Sequence, residues 1–257
     1  MNSENDKVLD FWNERATLVE RAGSQDIIAK EIEINAIAKH IHNGMHVCEF
    51  GCGNGLTALS LLERFDINLD CYDFSPNMIT EAKFLAEEKG VSQKINFYIA
   101  DVRKETELKS QYDLIFTERM LINLDNWDLQ NKAIVYLSKY LKPKGKMVFC
   151  EASEQGLKEV NKMRGYLGLE EIIQPWHNCY LNDINMEQLG HGLYQIKVEL
   201  FSATYYFLSR VINAYIAKQD GVMPDYNSLI NQSALKLPSF GECSQGKIWV
   251  ISKTTDT

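Results

Sequence analysis

Between residues 47 and 55 the chain reads Val47-Cys48-Glu49-Phe50-Gly51-Cys52-Gly53-Asn54-Gly55. An apolar run meets three alternating glycines, and the helix-forming stretch 56–65 follows. Glycine lets a backbone turn sharply and approach a ligand with no Cβ in the way. A helix opening at that point offers unpaired amides and a partial positive charge. The chemistry is that of holding a nucleotide-like ligand, and two details narrow it. The dinucleotide fingerprint has a third glycine where Leu56 stands. Glu49 puts a carboxylate beside the turn, which repels a pyrophosphate and suits a ligand carrying an ammonium group.

Two further carboxylates follow in order. Asp73 ends an apolar run at 68–73, and Asp101 follows another at 94–100. A carboxylate after the second strand can accept hydrogen bonds from both ribose hydroxyls. Taken singly, Glu49 could be a plain strand-end residue, and Asp73 and Asp101 plain helix caps. Their occurrence together, each at the end of a predicted strand, argues for one ligand.

The elements that must position them alternate regularly. Residues 6–42 read as helical, with a break at Ala22-Gly23-Ser24, a cap at Ser24 or Asp26, and a stop at Asn43-Gly44. Strands are predicted at 46–50, 68–73, 94–100, 112–117 and 146–151. Helices are predicted at 56–65, 75–89 and 128–141, with Pro76 in the first turn of the second and Pro143 and Gly145 stopping the third. Beyond these lie a helix at 155–168, an ordered loop at 175–181, a strand within 192–203, a helix at 205–218 and a last strand at 247–252. Such β-α-β alternation implies a parallel sheet covered on both faces. The open α/β rule then puts ligands at the carboxyl edge of the strands.

From residue 45 to about 152 the chain resembles the class I S-adenosylmethionine (SAM)-dependent methyltransferases. The resemblance implies a Rossmann-like, doubly wound, seven-stranded, mostly parallel sheet. No internal repeat, low-complexity tract or linker separates two domains, so one domain is expected: an N-terminal helical cover (1–43), a SAM-binding core (44–152), and acceptor-side elements with an insertion before strand six (153–257). The resemblance also implies that Gly51, Cys52, Gly53, Asn54 and Gly55 pack under the methionine part and ribose of SAM, and that Glu49 holds the amino group. Asp73 would take the ribose, Phe74 and Met78 would lie beside the adenine, and Asp101 and Val102 would meet the adenine amine and ring. Thr117 would end a strand that faces the reacting methyl, and the product would be S-adenosylhomocysteine (SAH).

Methyl transfer from a sulfonium is an in-line displacement governed by positioning; a base is needed only if the acceptor must lose a proton early. The segment Pro175-Trp176-His177-Asn178-Cys179-Tyr180 groups an aromatic, an imidazole, an amide and a phenol. It suggests an acceptor pocket with His177 as general base and Trp176, Asn178 and Tyr180 on the substrate; a packed loop is the alternative. Glu118 is a second base candidate and Glu151 a weaker one. Arg119 could bind an anionic acceptor or pair with a carboxylate. Tyr206 and Arg210, beside Tyr205, suit a sugar, phosphate or carboxylate, or else form an amphipathic helix face. Near the N-terminus Trp12, Arg15, Arg21, Ser24, Asp26 and Lys30 flank the helix break; Trp12 and Arg15 could close over the site.

The fragments FWNERA, GSQD, PWHN, YYFLSR and GKIWVISK look most like small-molecule methyltransferases of bacterial polysaccharide and natural-product biosynthesis. That makes an oxygen of a sugar, a glycan terminus or a phosphate the expected acceptor, with an amine next. An NAD-dependent oxidoreductase and a SAM-binding protein without transferase activity are the other readings.

Composition bounds the partners. The chain has 257 residues, 45% hydrophobic and 24% charged, enough for a sizeable core. A formal charge of −8 disfavours phosphate backbones and anionic lipid. No membrane span or signal peptide is expected, and a cytoplasmic location fits the scattered cysteines. The Cys48/Cys52 spacing has no matching second pair, so no metal is expected. The oligomeric state is not readable.

Overall fold

The computed structural model describes residues 4–16, 18, 25–104, 106–189 and 194–253. Arg21, the Ala22-Gly23-Ser24 break and Gly192 lie outside them. The elements are α1 (Glu4–Arg15), α2 (Ile27–Ala38), β1 (His46–Phe50), α3 (Leu56–Leu62), β2 (Asn68–Asp73), α4 (Pro76–Glu88), β3 (Ile95–Ile99) and β4 (Tyr112–Glu118). They continue with α5 (Trp127–Ser138), β5 (Leu141–Ala152), α6 (Glu154–Tyr166), α7 (Asp183–Glu187) and β6 (Tyr194–Glu199). Then come α8 (Ala203–Tyr206), a π-helical stretch (Phe207–Asn213), α9 (Ala214–Gln219), α10 (Leu229–Ser233) and β7 (Gly246–Lys253).

The seven strands form one open sheet in the order β3-β2-β1-β4-β5-β7-β6. Pairs β1–β2, β1–β4, β2–β3 and β4–β5 are parallel, while β7 is antiparallel to both β5 and β6. This is the Rossmann-like, mostly parallel architecture expected. The central strands β1 and β4 are buried almost along their whole length, as strands covered on both faces must be. One face packs Ile37, Leu59, Leu69, Ala82, Leu114 and Val148; the other packs Tyr72, Tyr112, Ile115, Ile134, Phe149 and Trp249.

Local chemistry sets the helix starts. Ser75 caps α4 by accepting from the Met78 amide (3.2 Å), with Pro76 next to it. Asp26 caps α2 through the Ala29 amide (3.0 Å), and Asn126 caps α5 through the Leu129 amide (3.0 Å).

Two expectations need correction, and two elements were not expected. The fifth strand begins at Leu141, not Lys146, because Pro143 and Gly145 bend the strand without ending it. Lys144 takes φ 69°, and the pairing jumps from Tyr112↔Leu141 to Leu114↔Lys146. The late helix is not one α-helix: a π-helical stretch interrupts it between α8 and α9. The short helices α7 and α10 lack enough sequence for a periodic signal to show. Among the described residues, no helix is long and apolar enough to cross a membrane.

Candidate functional site

A cleft of about 1110 Å³, including its mouth, opens at the carboxyl ends of β1 to β4. Its floor is the glycine turn. Gly51 sits at φ 81°, and a Cβ there would lie 2.2 Å from Met120 Cγ. Only glycine lets this turn pass beneath the segment that follows β4.

Glu49, Gly51, Cys52, Gly53, Asn54, Asp73, Phe74, Met78, Asp101 and Val102 all line the cleft. Two of the residues expected on the cofactor do not. Gly55 is the N-cap of α3, and its missing side chain makes room for the Phe97 ring (3.1 Å). Thr117 is fully buried and donates to Glu151 Oε1 (2.6 Å). Both pack against neighbouring elements and stand off the lining.

The three carboxylates differ in state. Glu49 is 1% exposed, and its Oε2 has no hydrogen-bond partner within the protein. Burial pushes its carboxyl well up, and the neighbouring Glu118 and Asp73 add to this, while the Lys30 cation and, less strongly, the Ala58 amide at the start of α3 pull the other way. A cation placed beside it would supply what is missing. Asp73 accepts from the Gly53 amide (2.8 Å) and the Ser75 amide (2.9 Å), so it ties the glycine turn to β2. Burial pushes it up to about 6, against these donors. Asp101 is gripped by Arg103 through Nε and Nη2, both at 2.8 Å. Burial alone would raise Asp101, but this fork holds it below the usual carboxylate range. The Arg103 guanidinium also lies 5.8 Å from the centre of the Phe74 ring.

The N-terminal helices form the roof. Val8 and Trp12 of α1 and Lys30 of α2 line the cleft. Trp12 packs on Met78, and Asn13 Oδ1 accepts from Ser75 Oγ (2.6 Å), so α1 is docked on the start of α4. Arg15 lies over the Phe11 ring (5.3 Å) and is not on the lining.

The acceptor-side expectations fare less evenly. Glu118 and Arg119 reach the cleft, but in a charge cluster. Lys30 Nζ is 2.6 Å from Glu118 Oε2, Thr57 Oγ1 donates to the same oxygen (2.5 Å), and Arg119 Nη2 is 3.0 Å from Glu33 Oε2. Burial opposes the charge on Glu118, yet Lys30 and Arg119 hold its carboxyl low, which suits an ionic anchor and not a proton acceptor. Burial pushes Glu33 up, against the pull of Arg119. Arg119 itself adopts φ 52°, an unusual backbone for a non-glycine residue.

His177 does not line the cleft. Its ring packs on Phe11 (4.6 Å) and meets the edge of Trp12 (6.1 Å), which does. Burial, with Arg15 nearby, lowers its pKa. Trp176 is exposed at the far side of this aromatic group. Asn178 donates to Asn123 Oδ1 (3.3 Å), and Asn123 is on the lining. Tyr180 accepts from Gln245 Nε2 (3.3 Å) and is not on it. Tyr206 and Arg210 are not on the lining, although Tyr206 stands close enough to Arg119 to act on its charge; Arg210 Nη2 is 2.5 Å from Asp26, which also accepts from Tyr205 (2.5 Å). The Arg210 guanidinium stacks over Tyr226 (4.5 Å) as well as Tyr206 (5.4 Å). This group fastens the start of α2 to the π-helical stretch. The recognition chemistry is real, but its partner is within the chain.

Sequence reasoning left Val8, Arg103, Met120, Asn123 and Leu124 out of the cleft. Arg103 had a signal in its place two residues after Asp101. Asn123 stood out only as an amide in an apolar run.

Several known proteins are similar to this chain. A demethylmenaquinone methyltransferase of Leptospira interrogans is 31% identical over 136 residues, covering 52% of this chain and 50% of the relative. Phosphoethanolamine N-methyltransferase 1 of Arabidopsis thaliana is 28% identical over 131 residues, covering 48% of this chain and 25% of the relative. The chain thus spans half or less of the length of these curated relatives. The structure of magnesium protoporphyrin IX methyltransferase from Synechocystis PCC 6803 superposes with a TM-score of 0.61 at 14% identity, covering 98% of this chain and 100% of the other. That likeness is one of fold. Residues 41–198 match the methyltransferase domain family, and with the glycine turn and its three strand-end carboxylates on one cleft, the chain belongs to the class I SAM-dependent methyltransferases.

Proposed function

We propose that the whole chain acts as one methyltransferase unit that moves the SAM methyl group to an oxygen of a small polar acceptor: a sugar, a glycan terminus or a phosphate. The observation that carries the donor half is the buried, unpartnered Oε2 of Glu49 at the base of the cleft. An α-ammonium group there gives Glu49 its missing partner and draws the carboxyl to its ionised form. Gly51 and Gly53 let a ligand lie on the backbone. Asp73 accepts from ribose hydroxyls with the lone pairs that Gly53 and Ser75 leave free. Asp101, oriented by Arg103, accepts from the adenine amine, with Phe74, Met78 and Val102 against the ring.

SAM supplies an activated methyl on a sulfonium. What remains for this chain is to bind, orient and exclude water. Trp12 and Val8 close the cleft from above. Lys30 and Arg119 stand on the wall beside the end of β4, each already paired with a carboxylate (Glu118 and Glu33), and such a charge cluster suits a hydroxyl-rich acceptor. Asn123, on the same wall, donates to Arg119 O (2.6 Å) and so steadies the backbone there. Glu118 serves by holding Lys30, so the chain brings charge and geometry in place of a strong base. We place this activity in the cytoplasm and in polysaccharide biosynthesis. An amine acceptor is the second reading, favoured by the likeness to a phosphoethanolamine N-methyltransferase.

The test is a methyl-transfer assay with labelled SAM against a panel of sugars, sugar phosphates, phosphates and amines. Label on a hydroxyl or phosphate oxygen is expected. Label confined to amines would replace the proposal with the second reading, and no label on any acceptor would leave a SAM-binding protein without transferase activity.

A further inference from the structure

Glu151 closes β5, is 1% exposed, and does not line the cleft. Its carboxylate is nonetheless the most heavily bonded acid near the site. Oε1 accepts from Thr117 Oγ1 (2.6 Å), the Met120 amide (3.0 Å) and the Leu121 amide (3.0 Å). Oε2 accepts from the Ile122 amide (3.3 Å). These amides open the short 3-10 turn Leu121–Asn123, where the first N–H groups have no partner within the turn. A carboxylate from the neighbouring strand supplies one.

That turn is a joint between two parts of the site. Met120, Asn123 and Leu124 line the cleft, and Met120 fills the space above Gly51. On the other side, the Cys179 amide donates to Ile122 O (2.6 Å) and Asn178 donates to Asn123 (3.3 Å). Gln130 Nε2 donates to both Leu121 O (3.2 Å) and Cys179 O (2.7 Å).

We propose that Glu151 is a positioning residue: its carboxylate clasps the turn after β4, and so fixes the wall over the glycine turn together with the 175–179 segment on the acceptor side. It does so through backbone amides, without reaching the reacting atoms. The role rests on the methyltransferase reading above. Two physical points favour clasping over simple packing. An apolar residue could fill the volume, but it would leave three buried amides unsatisfied, each costing about 1–3 kcal/mol. The unusual φ of Arg119, immediately before the turn, needs a surrounding contact that over-determines it.

The test compares wild type, Glu151→Gln and Glu151→Ala by backbone amide exchange and by calorimetric titration with SAH. Glutamine keeps one acceptor oxygen and turns the other into a donor facing the Ile122 amide. Exchange at 119–124 should therefore quicken roughly tenfold in Glu151→Gln and further in Glu151→Ala, with β1 to β3 unchanged. SAH affinity should fall in the same order, about fivefold and then about thirtyfold. Unchanged exchange at 119–124 in Glu151→Gln, or SAH affinity within about twofold of wild type, would overturn the proposal. If Glu151→Ala does not fold, Glu151→Gln decides alone. If wild type itself shows no heat with SAH, the cofactor reading fails, and the exchange comparison still judges the clasp.

Discussion

Replacing Gly51 by alanine tests how the glycine turn and the β4 wall are fitted to each other. Two costs can be separated. At φ 81° an L-residue pays about 1–2 kcal/mol in backbone strain. The new Cβ would also lie 2.2 Å from Met120 Cγ and 2.5 Å from Met120 Cβ, far inside the normal carbon contact of about 3.5–4.0 Å. The Met120 Cβ cannot swing aside as a side-chain tip can, so the wall itself must shift, at about 1–3 kcal/mol for overpacking. The total is roughly 2–5 kcal/mol, or a fall in Tm of about 5–15 °C for a domain of this size. Gly90→Ala is the control: its φ is 67°, with nothing within 4 Å of the new Cβ. It should cost about 1–2 kcal/mol and leave ligand binding alone. The assay is thermal unfolding beside calorimetric titration with SAH. Gly51→Ala should lose at least about tenfold in affinity, and Gly90→Ala less than about twofold. Equal SAH affinity in the two variants would refute the reasoning.

Binding of SAH should weaken as pH falls through about 6, where Asp73 protonates. The apo chain should gain stability over the same fall, because a carboxyl raised in the folded state binds more protons there than unfolded; a melt series against pH checks the sign. Glu49, also raised, should release a proton when the ammonium arrives, so the heat of SAH binding at neutral pH should vary with the ionisation enthalpy of the buffer. Lys30→Met should destabilise by about 1–3 kcal/mol in a urea titration, since it strips a buried carboxylate of its nearer cation and leaves only Arg119, 4.0 Å away. In wild type the low Glu118 carboxyl stabilises above the usual glutamate range, and that contribution is lost as pH falls below it. His177→Ala should leave SAH affinity within about threefold of wild type, because its ring is off the lining and meets it through the edge of Trp12.

The legible part of the site was the part written locally. The glycine turn, Asp73 and Asp101 are each adjacent in sequence to the strand end that positions them, and strand periodicity places those ends. The fold followed from the same alternation. What was not legible depends on partners far apart in the chain. Arg210 looked free to bind a ligand, but Asp26, on the other side of the chain, already holds it. Lys30 and Glu118 each had an identity without a mate until α2 lay over β4. Glu151 looked like a base at a strand end; only the packed turn shows three amides pointing at it. His177 carried the right chemistry, and aromatic packing with Phe11 and Trp12 took it off the cleft.

The central claim is that the cleft at β1 to β4 holds SAM through Glu49 and Asp73. It is tested most directly by calorimetric titration of SAH into the wild-type chain and into Asp73→Ala. The account predicts saturable binding in the micromolar range for wild type, roughly −8 kcal/mol, and a loss of at least about tenfold in the variant. No heat with wild type, or equal affinity in the two, would contradict it.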